Sequence, residues 1–142
     1  MRRVLLIIVG LSILLSLSAC GGGKKSVDYE TIVQKFADVL FAGKFDEAKK
    51  TLTEQNAETV GAQIDSFAIL YGKYKFQEVT LASTRAGKSS SADAESDKRA
   101  QYTFQFSPKD SEDWAYGSLE IRAVLTEGMW VITELKPVRP VR

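Results

Sequence analysis

The chain has 142 residues, with 19 Lys and Arg against 18 Asp and Glu, a single cysteine and no histidine. One cysteine excludes an internal disulfide framework, and the missing histidine removes the commonest general base together with every Ser-His or Cys-His arrangement. The near-balanced charge leaves no basic stripe of the kind that nucleic-acid binding needs.

The N-terminal segment consists of Arg2-Arg3, an apolar run from Val4 to Leu17 and the small-residue stretch Leu17-Ser18-Ala19-Cys20. A positive start, an apolar middle and small residues before a cleavage point read as a secretory signal. The stretch resembles the lipobox of bacterial lipoprotein signals, which implies cleavage between Ala19 and Cys20 and lipidation of Cys20, palmitate included. The apolar run is 14 residues long, about 21 Å as a helix against roughly 30 Å of hydrocarbon, so it spans a membrane poorly. Several acyl chains on Cys20 would supply the anchor instead. The alternative is an uncleaved signal anchor, or an ordinary signal peptide that leaves Cys20 a free thiol. Removing residues 1–19 leaves 17 basic against 18 acidic side chains, a formal charge of −1.

Gly21-Gly22-Gly23 and Lys24-Lys25 read as a flexible tether. A helix follows, with Ser26 as cap, Asp28 and Glu30 in the first turn, and Tyr29, Ile32, Val33, Phe36, Val39 and Leu40 at three-and-four spacing. Gly43 is placed for a left-handed C-terminal turn. A second helix is expected from Asp46 to about Gln55, with Phe45 stapled before it. A third runs from about Ala57 to Tyr71 on the stripe Val60, Ile64, Phe67, Ala68, Tyr71, with Gly72 ending it.

After Gly72 the period becomes two. Phe76 to Thr84 alternates with Val79 and Leu81 on one face. Arg99 to Ser107 alternates Ala100, Tyr102, Phe104 and Phe106 against Arg99, Gln101, Thr103 and Gln105. Trp114 to Thr126 places Leu119, Ile121, Ala123 and Leu125 on one side, and Glu127-Gly128 forms a tight turn into Met129–Leu135. Arg85 to Asp97 reads as a polar hairpin loop. Its acidic residues Asp93, Glu95 and Asp97 lack the glycine turn and spaced ligands of a calcium loop, so no metal site is expected. Pro137 to Arg142 reads as a tail too proline-rich to form an element.

The run Phe36-Ala37-Asp38-Val39-Leu40-Phe41-Ala42-Gly43-Lys44-Phe45-Asp46-Glu47-Ala48, with Gly72-Lys73-Tyr74-Lys75-Phe76 further on, resembles small secreted domains of the nuclear-transport-factor-two-like, cystatin-like superfamily. The resemblance covers about Ser26 to Leu135. It implies an α+β domain over residues 26–136, with three N-terminal helices packed on a curved four-stranded antiparallel sheet that forms a cone, often around a pocket. Enzymes of that superfamily place Asp, His or Tyr in the cone, whereas many relatives only bind ligands or proteins.

Asp38 and Asp65 are the carboxylates to test for acid-base work, and helical geometry turns both to solvent, about 160° and 130° from their apolar stripes. Glu134 points inward if Trp130 and Ile132 do, and outward if Val131 and Leu135 do. No catalytic residue and no cofactor are expected. Tyr71, Tyr102, Phe104, Phe106 and Trp130 either line an apolar pocket or form ordinary core. Trp114 and Tyr116 serve a partner interface or pack on the sheet edge. The reading that follows is a non-enzymatic envelope lipoprotein, facing outside the cytoplasm, that binds a protein partner or a small apolar ligand and no nucleic acid. Its alternatives are an isomerase-like or hydratase-like enzyme of the same superfamily and a self-associating structural module.

Overall fold

The computed structural model describes residues 28–86 and 95–141, with side chains as far as Lys136 on the last strand. The lipobox-like run ending at Cys20, the glycine tether, Ser26 and Asp93 lie outside the described residues. In chain order the elements are α1 (Tyr29–Phe41), α2 (Phe45–Lys50), α3 (Glu54–Lys73), β1 (Tyr74–Ala86), β2 (Asp97–Pro108), β3 (Ala115–Thr126) and β4 (Met129–Val141). The chain is therefore α+β, with an open antiparallel sheet in the order β1-β2-β3-β4.

Local chemistry sets the helix ends. Asp28, rather than Ser26, caps α1: its Oδ1 accepts the Thr31 N–H at 2.8 Å, satisfying a donor that the first turn leaves free. At the other end Gly43 adopts φ 77°, and the Lys44 and Gly43 N–H groups donate to the Val39 and Leu40 carbonyls, both at 3.1 Å. That pair of bonds is a Schellman turn, and its left-handed residue favours glycine. The second helix is shorter than expected and stops at Lys50. The Thr51 hydroxyl donates back to the Ala48 carbonyl at 2.7 Å, and Thr53 starts the next helix by accepting the Ala57 N–H at 2.8 Å, so Gln55 belongs to α3. Gly72 does not end that helix. It sits in the last turn with open space around it, and the chain becomes extended only at Tyr74.

All three helices lie on one side of the sheet, α3 against β4 and β1, and α1 against β3 and β4. Val33, Phe36 and Leu40 of α1 and Val60, Ile64 and Phe67 of α3 meet Ala100, Tyr102 and Phe104 of β2, Leu119, Ile121 and Ala123 of β3, and Ile132 and Leu135 of β4. Each fully buried large side chain there contributes about 1.5–3 kcal/mol through area removed from water. Phe104 closes the gap above Gly117, its cross-strand partner, where a Cβ would stand 2.7 Å from the ring. The opposite face of the sheet carries the polar half of each alternation.

Two strands depart from plain alternation. In β1, Glu78 at φ 52° opens a bulge between Gln77 and Thr80, and a second irregularity precedes Ser83. Leu81 still pairs with Tyr102 on the helix side, yet it is exposed, on the wall of an open groove beside Glu30, Gln34 and Asp38 of α1. In β4 a bulge between Glu134 and Ile132 lets both Ile132 and Leu135 turn inward and sends Glu134 outward, so each of the two expected registers holds over part of the strand. The Pro137–Arg142 tail is corrected in the same way. The strand continues through Val141, with Gly117 opposite Pro140 and a further irregularity after Lys136 that accommodates Pro137, which an edge strand and a bulge both tolerate.

Candidate functional site

A cleft of about 210 Å³ opens between α3 and the end of the sheet formed by β3 and β4, lined by Gln63, Ser66, Phe67, Leu70, Leu119, Leu135 and Lys136. Residues 63, 66, 67 and 70 recur at three-and-four spacing, which places them on one helical face. Phe67, Leu119 and Leu135 form a buried apolar floor, and Leu70 is half-buried. Gln63 ties the walls together, its Oε1 accepting the Leu135 N–H at 2.7 Å. β4 is an edge strand, so an N–H on its outer side is free of the ladder and open to the helix. A volume of this size suits a single ring or a short aliphatic segment rather than a drug-sized molecule.

On the opposite face of the sheet lies an ionic lattice. Glu120 of β3 stands directly across from Lys136 of β4 and diagonal to Arg99 of β2, while Arg85 of β1 reaches over Arg99 to the same carboxylate. Arg99 bonds it at 2.6 Å and Lys136 at 3.1 Å, and Arg85 holds the second oxygen. Burial pushes the Glu120 carboxyl upward, but the bonds from Arg99, Arg85 and Lys136 together outweigh it and hold the pKa at about 2. Arg99 and Arg122 face each other across the β2-β3 pair, a repulsive placement. It is relieved by Glu134, 3.3 Å from Arg99, and by Asp97, which takes Arg122 in a two-point contact that raises the Arg122 pKa. Beyond the lattice, the face is closed by side-chain bonds such as Gln77 to Gln105 at 2.8 Å and Thr80 with Thr103 at 3.2 Å.

The five aromatic residues singled out as pocket candidates do not surround one opening. Tyr102 and Phe104 are buried in the core, where Phe104 meets Phe41 and Phe76 at ring-centre distances of 5.3 and 5.4 Å. Tyr71 stacks on Phe76 at 5.7 Å, and Phe106 meets Tyr74 at 5.4 Å. Trp130 lies at the other end of the sheet, edge-on to Tyr29 at 5.1 Å, with the Lys98 ammonium 5.4 and 5.6 Å from the two ring centres. Trp114 is half-buried beneath Lys75, which stands 5.3 Å above its ring, and Tyr116 is exposed.

Asp38 and Asp65 are exposed as helical geometry requires, Asp38 taking the Gln34 amide at 2.7 Å and Asp65 the Lys49 ammonium at 2.6 Å. Burial pushes the Tyr102 hydroxyl up to about 12 and raises that of Tyr29 further, so both stay protonated at neutral pH. Asp97, expected in the loop, belongs to β2 and is the buried carboxylate among the described residues. Among those residues no group of three metal-ligating side chains converges, and no helix is long and apolar enough to cross a membrane.

The cleft residues Gln63, Ser66 and Leu70 escape a sequence reading because the apolar stripe of α3 centres on Ile64 and Phe67. The available signal is that Gln63, Ser66 and Leu70 flank that stripe on a single side, the side that meets β4.

No family model matches the chain, and no curated protein matches it. Among solved structures it is similar to the solution structure of a SEC-C motif containing protein from Rhodopseudomonas palustris, at 13% identity and a TM-score of 0.49, over 72% of this chain and 73% of that one.

Proposed function

We propose that the chain is a non-enzymatic envelope lipoprotein, anchored by lipid on Cys20 outside the cytoplasm, whose cystatin-like domain takes a small apolar ligand into the cleft between α3 and the β3-β4 pair. The cleft carries the ligand part of this reading: an apolar floor of Phe67, Leu119 and Leu135, open to solvent, with Lys136 at its rim. The lipobox-like ending Leu17-Ser18-Ala19-Cys20 supports the anchor. The non-enzymatic part is supported by the state of the titratable groups. Tyr29 and Tyr102 are buried in the core away from the cleft lining, and Glu120 and Asp97 are committed to arginines on the opposite sheet face.

Two measurements on the expressed full chain test the reading. Palmitate incorporation is expected in the wild type and lost in Cys20→Ala; labelling that survives the substitution refutes the anchor. A polarity-sensitive fluorescent probe is expected to brighten with the wild type, and Leu70→Trp, which fills the cleft from its half-exposed wall, is expected to abolish that response while leaving the thermal midpoint close to the wild type. Equal probe binding by both proteins refutes the cleft as the ligand site.

A further inference from the structure

The β3-β4 hairpin breaks the rule that the rest of the sheet obeys. Along the open face, β2 and β3 present Gln101, Thr103, Gln105, Ser118, Glu120 and Arg122, and β4 presents Glu134 and Lys136. At the hairpin tip that face becomes apolar: Val124 pairs with Val131, and Met129 stands beside them. On the helix-facing side Leu125 pairs with Trp130. The tip is thus apolar on both faces, and it is not core, because Met129 is 64% and Leu125 38% exposed. The turn Glu127-Gly128, both residues at positive φ, and Thr126 supply the remaining residues of the tip.

The position of the tip matters as much as its composition. Trp130 packs edge-on against Tyr29, the first residue of α1, so the hairpin tip and the start of the described domain share one end of the molecule. Asp28 lies eight positions after Cys20. Such a segment reaches at most about 27 Å when fully extended and about 16 Å as a glycine-rich coil. Tyr116 lies ten residues back along β3 from Thr126, about 33 Å from the tip at ordinary strand rise. A lipid on Cys20 therefore holds the hairpin end nearer the bilayer than the Tyr116 end.

We propose that the β3-β4 hairpin tip seats in the headgroup layer of the phospholipid bilayer that carries the anchor, orienting the domain with its sheet rising away from the membrane. This rests on the lipid-anchor reading. Leu125 and Met129 enter the apolar boundary. Half-buried Trp130 and the Lys98 ammonium above its ring supply the aromatic and cationic groups that favour the interface. The Glu127 carboxylate at the turn limits the depth, since a charged group stays with water and headgroups. In this orientation Asp97, opposite Val124, marks the near end of the ionic lattice, and the cleft, lined by Leu119 and Leu135, lies farther from the bilayer.

The test uses the full lipidated chain in vesicles of phosphatidylethanolamine and phosphatidylglycerol containing a nitroxide-labelled phospholipid. Because Cys20 is acylated, Met129→Cys and Tyr116→Cys each offer one thiol for a polarity-sensitive fluorophore, at positions of nearly equal exposure, 64% and 60%. Both proteins should float with the vesicles. The label at position 129 should shift to the blue and lose most of its emission to the nitroxide, that at 116 should do neither, and adding Leu125→Asp should restore emission at 129 without releasing the protein. Protein that floats with position 129 unquenched, or quenched no more than 116, overturns the inference and leaves the anchor standing. Self-quenching between labels at 129 without quenching by lipid overturns it in favour of contact between copies. Protein that does not float refutes the anchor, and the inference falls with it.

Discussion

Replacing Glu120 by Gln removes the charge that three cations share while keeping the shape of the side chain. The Glu120 side chain is 12% exposed, and its carboxyl is lowered from 4.5 to about 2. That difference corresponds to an upper bound of about 3.4 kcal/mol at 1.36 kcal/mol per unit. Arg85 and Lys136 are open to solvent, which screens their share, so about 2 kcal/mol is the expected loss at pH 7. The sign follows from linkage. A carboxyl depressed by folding stabilises fully above its unfolded pKa and loses that contribution as pH falls through the folded one. The stability difference between wild type and Glu120→Gln should therefore be constant above about pH 5, about half its full size near pH 3, and close to zero at pH 2. Urea unfolding followed by tryptophan fluorescence at a series of pH values measures this, and taking the difference cancels the other carboxylates. A difference that stays constant down to pH 2.5, or grows as pH falls, would refute the account of the lattice.

Three further substitutions probe the backbone and the core. Gly117→Ala should cost about 1–3 kcal/mol, because the new Cβ stands 2.7 Å from the Phe104 ring and 3.1 Å from Phe106; Phe104→Leu in the same chain should recover part of that loss in denaturant unfolding. Gly43→Ala should destabilise by about 1–2 kcal/mol through its left-handed backbone and a Tyr71 ring atom 3.0 Å from the added carbon, read as a lowered thermal midpoint. Asp28→Ala removes the α1 cap and should cost about 1 kcal/mol, whereas Asp28→Asn should cost much less; equal losses would mean that charge rather than the Thr31 bond is at work.

Local periodicity was enough to reveal most of the fold. The stripe Tyr29, Val33, Phe36, Leu40 is the buried face of α1, and the alternation of Ala100, Tyr102 and Phe104 is the buried face of β2. The Glu127-Gly128 turn is equally legible, since both of its residues adopt the positive φ that a two-residue hairpin needs. Such features are written in neighbouring residues, where side-chain spacing and a single glycine decide the outcome.

The errors share one physical origin. Gly72 reads as a helix end in isolation, but packing of α3 against β1 and β4 carries the helix past it. The Pro137–Arg142 segment reads as a tail until pairing with β3 turns it into an edge strand that needs few of its own donors. Glu134 could be assigned to neither face of β4 because a bulge changes the register midway, and a bulge is a property of two strands rather than one. The same holds for the sites: the cleft exists only where flanking residues of α3 meet β3 and β4, and the low pKa of Glu120 only where Arg85, Arg99 and Lys136 converge from three other strands. The sequence alone determined helix faces, strand alternation, the tight turns and the case for an anchor at Cys20. Tertiary structure alone decided register, the cleft and the charge lattice, because those depend on which distant residues come to lie side by side.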